Sequence, residues 1–291
     1  RTSKMRWTVI ERGNARTGVA LVQDGMVIDL SETDPLFADD LMPVIAAGER
    51  ATELARRVIG QGKRLAPTDV VRALPIANPP KIICLGLNYV DHAKEGGYEV
   101  PDYPSLFMRS IGSIVPHGHD LVRPLASERF DYEAEFMVVI GKGGRHIAAE
   151  KALDHVFGYT VFNDGSVRDY QRKTTQWTPG KNFDRSGSLG PDVVTPDELP
   201  AGCRGLRIQS RLNGKIMQDA DTADMMFPVV ETIVAVSEYT TLQTGDLIAM
   251  GTPQGVGHAR KPPVWMKAGD TIEIEVETLG LLSNGIVDET R

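Results

Sequence analysis

The sequence predicts a mostly β (α+β) protein, and three observations lead to that class. Many short apolar stretches of strand length are separated by turn residues, few segments show helical spacing, and strands and helices do not alternate regularly. Regular alternation would have indicated a doubly wound or TIM-type fold, so both are disfavoured. We predict a small N-terminal α/β accessory domain over residues 1–75 and a larger domain over residues 80–291.

The amino-acid composition and net charge argue against several classes of protein. The chain has 291 residues, of which 41% are hydrophobic and 24% charged, as in an ordinary globular protein. The net charge of −7 argues against a nucleic-acid partner, which would need a basic surface. Two cysteines are too few for a disulfide framework or a thiolate metal site. No apolar run is long enough to span a bilayer, and the residues before Met5 lack the apolar core of a signal peptide, so we expect a cytoplasmic protein.

The accessory domain begins with three predicted strands at 6–10, 18–22 and 26–30. Asp24-Gly25 joins the last two and is a strong hairpin signal. Apolar spacing predicts a helix over 34–47, with Gly48 at its C′ position, and a second helix over 51–59. This region contains no histidine and no cluster of acids, so we expect the chemistry to lie in the larger domain.

The elements of the larger domain are predicted from the same periodicities and flanking turn residues. They are strands at 81–87, 106–108, 131–140, 156–162, 206–212, 215–218, 247–250 and 270–277, and helices at 148–154 and 228–237. His92 and Glu95 lie side by side if their segment forms a helical turn.

The predicted strand 131–140 carries two acids on one face, Glu133 and Glu135, at the entrance to an apolar run. The pair is either solvated or shares a cation. Glu273 and Glu275 have the same spacing in a cleanly alternating strand, where they are expected to face solvent. Spacing alone therefore does not separate the two interpretations.

Asp164, at the end of the strand 156–162, supplies a third carboxylate. Three carboxylates without a thiolate or a nearby histidine pair make an all-oxygen site, which suits Mg²⁺ or Mn²⁺, with Ca²⁺ as a further option. A cation held by three protein oxygens keeps positions open for water and substrate, as a Lewis-acid role requires.

Five motifs occur in an order that resembles the fumarylacetoacetate hydrolase family, over residues 81–287. The motifs are Asn88-Tyr89-x-Asp91-His92-x-x-Glu95, Asp131-Tyr132-Glu133-x-Glu135, Asn163-Asp164-x-Ser166-x-Arg168-Asp169, Gly180-Lys181-Asn182-Phe183-Asp184 and Gly251-Thr252-Pro253-x-Gly255-Val256-Gly257.

The resemblance implies a mixed β-sandwich roll, a bound divalent cation (usually Mg²⁺) and a homodimer. No membrane or nucleic-acid partner is expected. The resemblance also implies roles for the matching positions. These are metal binding by Glu133, Glu135 and Asp164; water activation by His92 and Glu95 on a lid segment; contact with substrate oxygens by Lys181; and a substrate-proximal position for Arg168, Gln171 and Thr252.

Some positions depart from the family pattern or stay open. Gly165 stands where the family usually has a hydrophobic residue, which leaves the pocket shape there open. Arg109 stands where lysine is common, and is either a grip for a substrate carboxylate or a solvated loop cation. Trp177 is either an apolar wall of the substrate pocket or a core residue. His258, like the other histidines besides His92, is expected to be structural or exposed.

These observations predict a Mg²⁺-dependent hydrolase that cleaves a C–C bond in an acylpyruvate or other 2,4-dioxo acid, giving a carboxylic acid and a pyruvate-type product. The alternative is a decarboxylase, hydratase or keto–enol isomerase of a 2-oxo diacid, which uses the same enolate. His92 and Glu95 favour hydrolysis without deciding it, since the pair can also shuttle a proton. A metal-binding protein without catalysis is the third hypothesis, and the complete motif set disfavours it.

Overall fold

The computed structural model describes residues 4–291; the segment 1–3, part of the stretch in which we expected no signal peptide, lies outside the described residues. The strands are β1 (Arg6–Glu11), β2 (Thr17–Gln23), β3 (Met26–Asp29), β4 (Lys63–Leu65), β5 (Ile82–Gly86), β6 (Ser105–Met108), β7 (Ile114–Pro116), β8 (Leu121–Arg123), β9 (Phe130–Asp131), β10 (Ala134–Ile140), β11 (Val156–Asn163), β12 (Ser166–Val167), β13 (Gly187–Val194), β14 (Arg207–Leu212), β15 (Lys215–Asp221), β16 (Leu247–Ala249), β17 (Thr271–Val276) and β18 (Gly280–Asp288). The α-helices are α1 (Met42–Ala47), α2 (Glu49–Val58), α3 (Val90–Glu95), α4 (Arg168–Gln171), α5 (Thr178–Lys181) and α6 (Val229–Tyr239).

Two large sheets organise the fold. An eleven-stranded sheet has the order β4-β3-β2-β1-β13-β11-β10-β16-β5-β6, with β7 paired to β13, and a five-stranded sheet has the order β15-β14-β17-β18-β8. The predicted α+β class, with several sheets and short helices, is confirmed. No helix within residues 4–291 combines the length and apolar character needed to cross a membrane.

Strand β10 lies in the middle of the molecule and is buried along its whole length. Phe136 and Val138 pack into a core shared with the five-stranded sheet. Met137 and Val139 point the other way, into a core shared with α1 and α2. The strand is therefore apolar on both faces because each face has its own core, and the acids at its start are fixed against a rigid support.

The three predicted N-terminal strands and their hairpin are confirmed, with Asp24 and Gly25 both at positive φ. Strand β1 pairs with β13 in antiparallel register, so the sheet of the first 75 residues continues into the rest of the chain. The predicted boundary between residues 75 and 80 stays a prediction, and the ladder from β1 to β13 crosses it.

The single helix predicted over 34–47 is wrong. The chain forms a 3₁₀ turn at Pro35–Phe37 and then α1. Asp34 accepts the amide of Leu36 at 2.9 Å, and Asp40 accepts the amides of Met42 and Ala77. Aspartate side chains thus compete for the backbone donors that a continuous helix would use.

The single strand predicted over 131–140 is also wrong, because β9 and β10 are separated at Tyr132-Glu133. The amide of Tyr132 donates to the Asp131 carboxylate at 2.9 Å, and the amide of Glu133 donates to Asn163 Oδ1 at 3.0 Å. Side chains therefore replace the ladder at this point, and Glu133 sits in a break between two strands.

Candidate active site

Three acids form what we term the carboxylate cluster: Glu133, Glu135 and Asp164. One oxygen from each lies within 4.8 Å of the others, and all three side chains are buried. Strand pairing explains why these acids lie close together, because β10 pairs with β11 and the Asp164 amide donates to Glu133 O at 3.1 Å. The sequence-predicted set of three carboxylates is thus brought together by two neighbouring strands.

Three cations surround the cluster. Lys181 Nζ lies 3.0 Å from Glu133 Oε2, 2.8 Å from Asp164 Oδ2 and 2.8 Å from Ser166 Oγ. Arg168 Nη1 lies 2.7 Å from Glu133 Oε1, and Arg109 pairs with Asp164. Burial by itself would raise the pKa of Glu133, but Lys181 and Arg168 outweigh it and lower that pKa.

Glu135 is the member of the cluster without a cation beside it. Its Oε2 accepts the Gly251 amide at 3.0 Å, and its Oε1 is buried with no hydrogen-bond partner. Burial, followed by the charges of Asp164 and Glu133, raises the pKa of Glu135 well above its usual range. An unpartnered carboxylate oxygen facing two further carboxylates fits a divalent cation of the Mg²⁺ or Mn²⁺ type.

The predicted acid–base pair stands on α3. His92 Nδ1 lies 2.9 Å from Glu95 Oε1, and the Glu95 carboxylate also accepts the Gly255 amide at 2.9 Å. A carboxylate only accepts, so this contact places the proton on Nδ1 and leaves the His92 Nε2 lone pair available. Asn88 anchors the start of the segment by donating to Met250 O at 2.7 Å.

A narrow cleft joins these groups. Its walls include most of the predicted site residues: His92, Glu133, Arg168, Gln171, Trp177, Lys181 and Thr252. Glu95, Glu135 and Asp164 lie next to these wall residues and are not part of the cleft surface.

Two of the predicted substrate contacts, Thr252 and Gln171, each have a side-chain oxygen engaged by the protein. Thr252 Oγ1 donates to Ala134 O at 2.8 Å and accepts from Gln218 Nε2 at 2.8 Å. Gln171 Oε1 accepts from Arg168 Nη1 at 2.9 Å. The Thr252 hydroxyl therefore fixes the turn at 251–257 against β10, and the residue still lines the cleft.

Trp177 forms an apolar wall and packs against its neighbours at the same time. Its ring lies edge-on to Phe107 and Tyr98, with centroids 5.5 and 6.2 Å away. A Cβ placed on Gly86 would lie 2.2 Å from the indole, so glycine at that position makes room for the ring.

Arg109 differs from the prediction that it contacts substrate. It is 3% exposed and is not part of the cleft wall. Its five N–H donors meet five acceptors: Ser113 Oγ, Ser113 O, Asp164 Oδ1, Gly165 O and Ser186 Oγ. A saturated guanidinium has no donor left for a ligand, so Arg109 orients Asp164 from behind.

Sequence reasoning missed two residues, Asp131 and His258. The buried Asp131 carboxylate accepts from Arg168 Nε at 2.8 Å and from the amides of Tyr132, Gly257 and His258. His258, expected to be structural or exposed, lies along the cleft. Position was the available signal, because Asp131 is the first residue of one motif and His258 directly follows another.

The departure from the family pattern at Gly165 has a steric reason. A Cβ there would lie 1.8 Å from Ser186 O. We expect Gly165→Ala to lower the free energy of unfolding by about 1–3 kcal/mol, because the backbone must shift. Gly112→Ala is the matched control, since its Cβ would meet nothing closer than 4.0 Å. Chemical denaturation compares the two, and equal stabilities would contradict the steric account.

Comparison with known proteins identifies the family. Residues 81–287 match the family described as "Fumarylacetoacetate (FAA) hydrolase C-terminal". The chain is 41% identical over 265 residues to the mitochondrial oxaloacetate tautomerase of Rattus norvegicus, covering 90% of this chain and 84% of that protein. The corresponding human protein is 40% identical and covers 93% of this chain and 87% of its own length.

Two solved structures of the same family are also similar to this chain. A fumarylacetoacetate hydrolase from Exiguobacterium antarcticum matches with a TM-score of 0.83 and 33% identity, covering 98% of this chain and all of that one. A maleylpyruvate hydrolase from a Sphingobium species, solved with manganese(II) and pyruvate, matches with a TM-score of 0.81 and 25% identity over the same shares. The chain therefore belongs to the fumarylacetoacetate hydrolase family.

Proposed function

We propose that the protein is a divalent-cation-dependent enzyme that interconverts the keto and enol forms of a 2-oxo diacid of the oxaloacetate type. The observation that carries the proposal is a histidine base, His92, held by Glu95 at the wall of a cleft whose surface also includes Glu133 of the carboxylate cluster. Relatives about 40% identical over nine-tenths of the chain are named oxaloacetate tautomerases, which supports this choice. It reverses the order of the two functions predicted from the sequence.

The chemistry follows from the state of each residue. Glu133, Glu135 and Asp164 would hold the cation, which supplies a Lewis acid that withdraws electron density from a 2-oxo acid. In the direction of the enol, Nε2 of His92 takes a proton from C3, and the C–H electron pair forms the C2=C3 bond. The C2=O π pair moves onto the oxygen, which takes up a proton to complete the enol. Glu95 keeps the imidazole in the tautomer that accepts this proton.

Lys181 contributes charge. Burial would lower its pKa, but Asp164 and Glu133 outweigh that effect and raise it, so the ammonium stays charged. Its three N–H donors contact Glu133, Asp164 and Ser166. Lys181 therefore stabilises negative charge that develops in the cleft through its field, as a preorganised cation.

Hydrolysis of a 2,4-dioxo acid is the second candidate. The same His92–Glu95 pair fits removal of a proton from water, after which hydroxide attacks the distal carbonyl and the C–C bond breaks. The structural similarity to a maleylpyruvate hydrolase supports this alternative.

The proposal also covers the identity of the cation and the class of substrate. Mg²⁺ is the cation we propose, with Mn²⁺ next, since a related structure holds manganese(II). The substrate is a small 2-oxo or 2,4-dioxo acid. A homodimer and a cytoplasmic location stay predictions; the names of the oxaloacetate tautomerases place those proteins in mitochondria.

Cation binding is tested by thermal stability. Because a ligand that binds only the folded state stabilises it, Mn²⁺ at about 100 times its Kd should add about 2.7 kcal/mol. Glu135→Gln should lose most of this gain, since a neutral amide replaces a ligand anion. Glu273→Gln, from the matched acid pair on β17, should keep it. Equal stabilisation of wild type and Glu135→Gln would contradict the site assignment.

The reaction is tested by incubating the Mg²⁺-loaded protein with enol-oxaloacetate and, separately, with acylpyruvates. Faster loss of the enol absorbance without release of a carboxylic acid supports tautomerisation. Equimolar carboxylic acid and pyruvate from an acylpyruvate would establish hydrolysis in its place. His92→Gln should lower kcat about 10²- to 10⁴-fold while keeping the Mn²⁺ stabilisation. Turnover by this variant at the wild-type rate would overturn the assigned base.

A further inference from the structure

A second histidine–carboxylate pair lies in the same cleft. His258 Nδ1 is 3.2 Å from Asp131 Oδ2, and the His258 amide donates to the same oxygen at 2.9 Å. Asp131 is fully buried. Its two oxygens also accept from Arg168 Nε and from the backbone amides of Tyr132 and Gly257, so the carboxylate is the acceptor in each of these contacts.

The accepting carboxylate fixes the tautomer of His258. A carboxylate offers only acceptor atoms, so the contact at Nδ1 requires a proton on that nitrogen. The neutral ring then presents Nε2 as a bare lone pair. The charged groups that face this ring are Asp131, Arg168 and Arg172, and burial, with the two arginines, outweighs Asp131 and lowers the pKa of His258. The neutral form therefore prevails near pH 7.

Nε2 of His258 has no hydrogen-bond partner, although the side chain is nine-tenths buried and lines the cleft. A buried polar atom left without a partner costs about 1–3 kcal/mol, so this position is suited to a ligand that supplies a donor. The keto form of an ionised 2-oxo acid has only acceptor oxygens. Its enol form carries one O–H donor.

We propose that His258 is a second catalytic residue of the cleft, whose Nε2 recognises the enol hydroxyl and accepts its proton, with Asp131 as its positioning residue. The inference rests on the proposed function, because it requires an enolisable 2-oxo acid. It gives the two histidines different tasks: His92 handles the proton at C3, and His258 handles the proton on the C2 oxygen.

In the direction of the keto form, the enol O–H bond breaks and its proton goes to Nε2 of His258. The oxygen electron pair forms the C2=O bond, and the C2=C3 pair takes the proton carried by His92 Nε2. His258 ends protonated and His92 neutral. The cycle closes when solvent takes a proton from His258 and returns one to His92.

The protonation state is tested without turnover. Nitrogen-15 NMR of the histidine side chains in the full-length, Mg²⁺-loaded protein, with His258→Phe to assign the resonance, reports which nitrogen carries the proton. We expect a neutral ring protonated at Nδ1. A ring protonated at Nε2, or at both nitrogens near pH 7, would overturn the inference whatever the enzyme does to substrate.

The role is tested by kinetics of enol-oxaloacetate ketonisation. His258→Phe keeps an aromatic ring but removes the acceptor, so kcat should fall about 10²-fold or more, with a smaller change in KM. His155→Phe is the matched control; His155 contacts Lys142 O outside the cleft, and its replacement should leave kcat unchanged. An active wild type with an equally active, folded His258→Phe overturns this inference alone. A wild type that ketonises no 2-oxo acid overturns the proposed function and this step together.

Discussion

The structure depends on keeping the carboxylate cluster buried. Like charges at these separations repel strongly, and taking each from water costs several kcal/mol, so they persist only with compensating partners. Lys181, Arg168 and Arg109 supply three positive charges, and each is itself buried. None of these three cations pairs with Glu135. Among the described residues its Oε1 has no hydrogen-bond partner, which fits a divalent ion at this position. The balance between the buried acids and the buried cations thus determines what the cleft can bind.

A single glycine-rich turn, residues 251–257, holds three acids of the site in position. The amide of Gly251 binds Glu135, that of Gly255 binds Glu95, and that of Gly257 binds Asp131. Side chains would block this arrangement, because a Cβ at Gly255 would lie 2.4 Å from a backbone oxygen and one at Gly257 would lie 2.0 Å from another. The carboxylate cluster and both histidine–carboxylate pairs are therefore coupled through one backbone segment.

The sequence predicts the class of fold, most strands, the carboxylate cluster and the His92–Glu95 pair, because periodicity and ordered motifs report local structure and family membership. It misses β13, which lies between β1 and β11 in the large sheet, because glycines and a proline interrupt the strand signal. It also misplaces Arg109 and His258. Their types permit both a solvated and a buried role, and only the tertiary arrangement shows that one has all its donors satisfied and the other has an unpartnered nitrogen.

The most direct test of the account is an anomalous difference map from a crystal of the protein soaked in Mn²⁺. We expect one strong peak per chain, within about 2.0–2.3 Å of an oxygen from each of Glu133, Glu135 and Asp164, on the side of the cleft lined by His92. A map without a peak at the carboxylate cluster, or with the ion held by other residues, would contradict it.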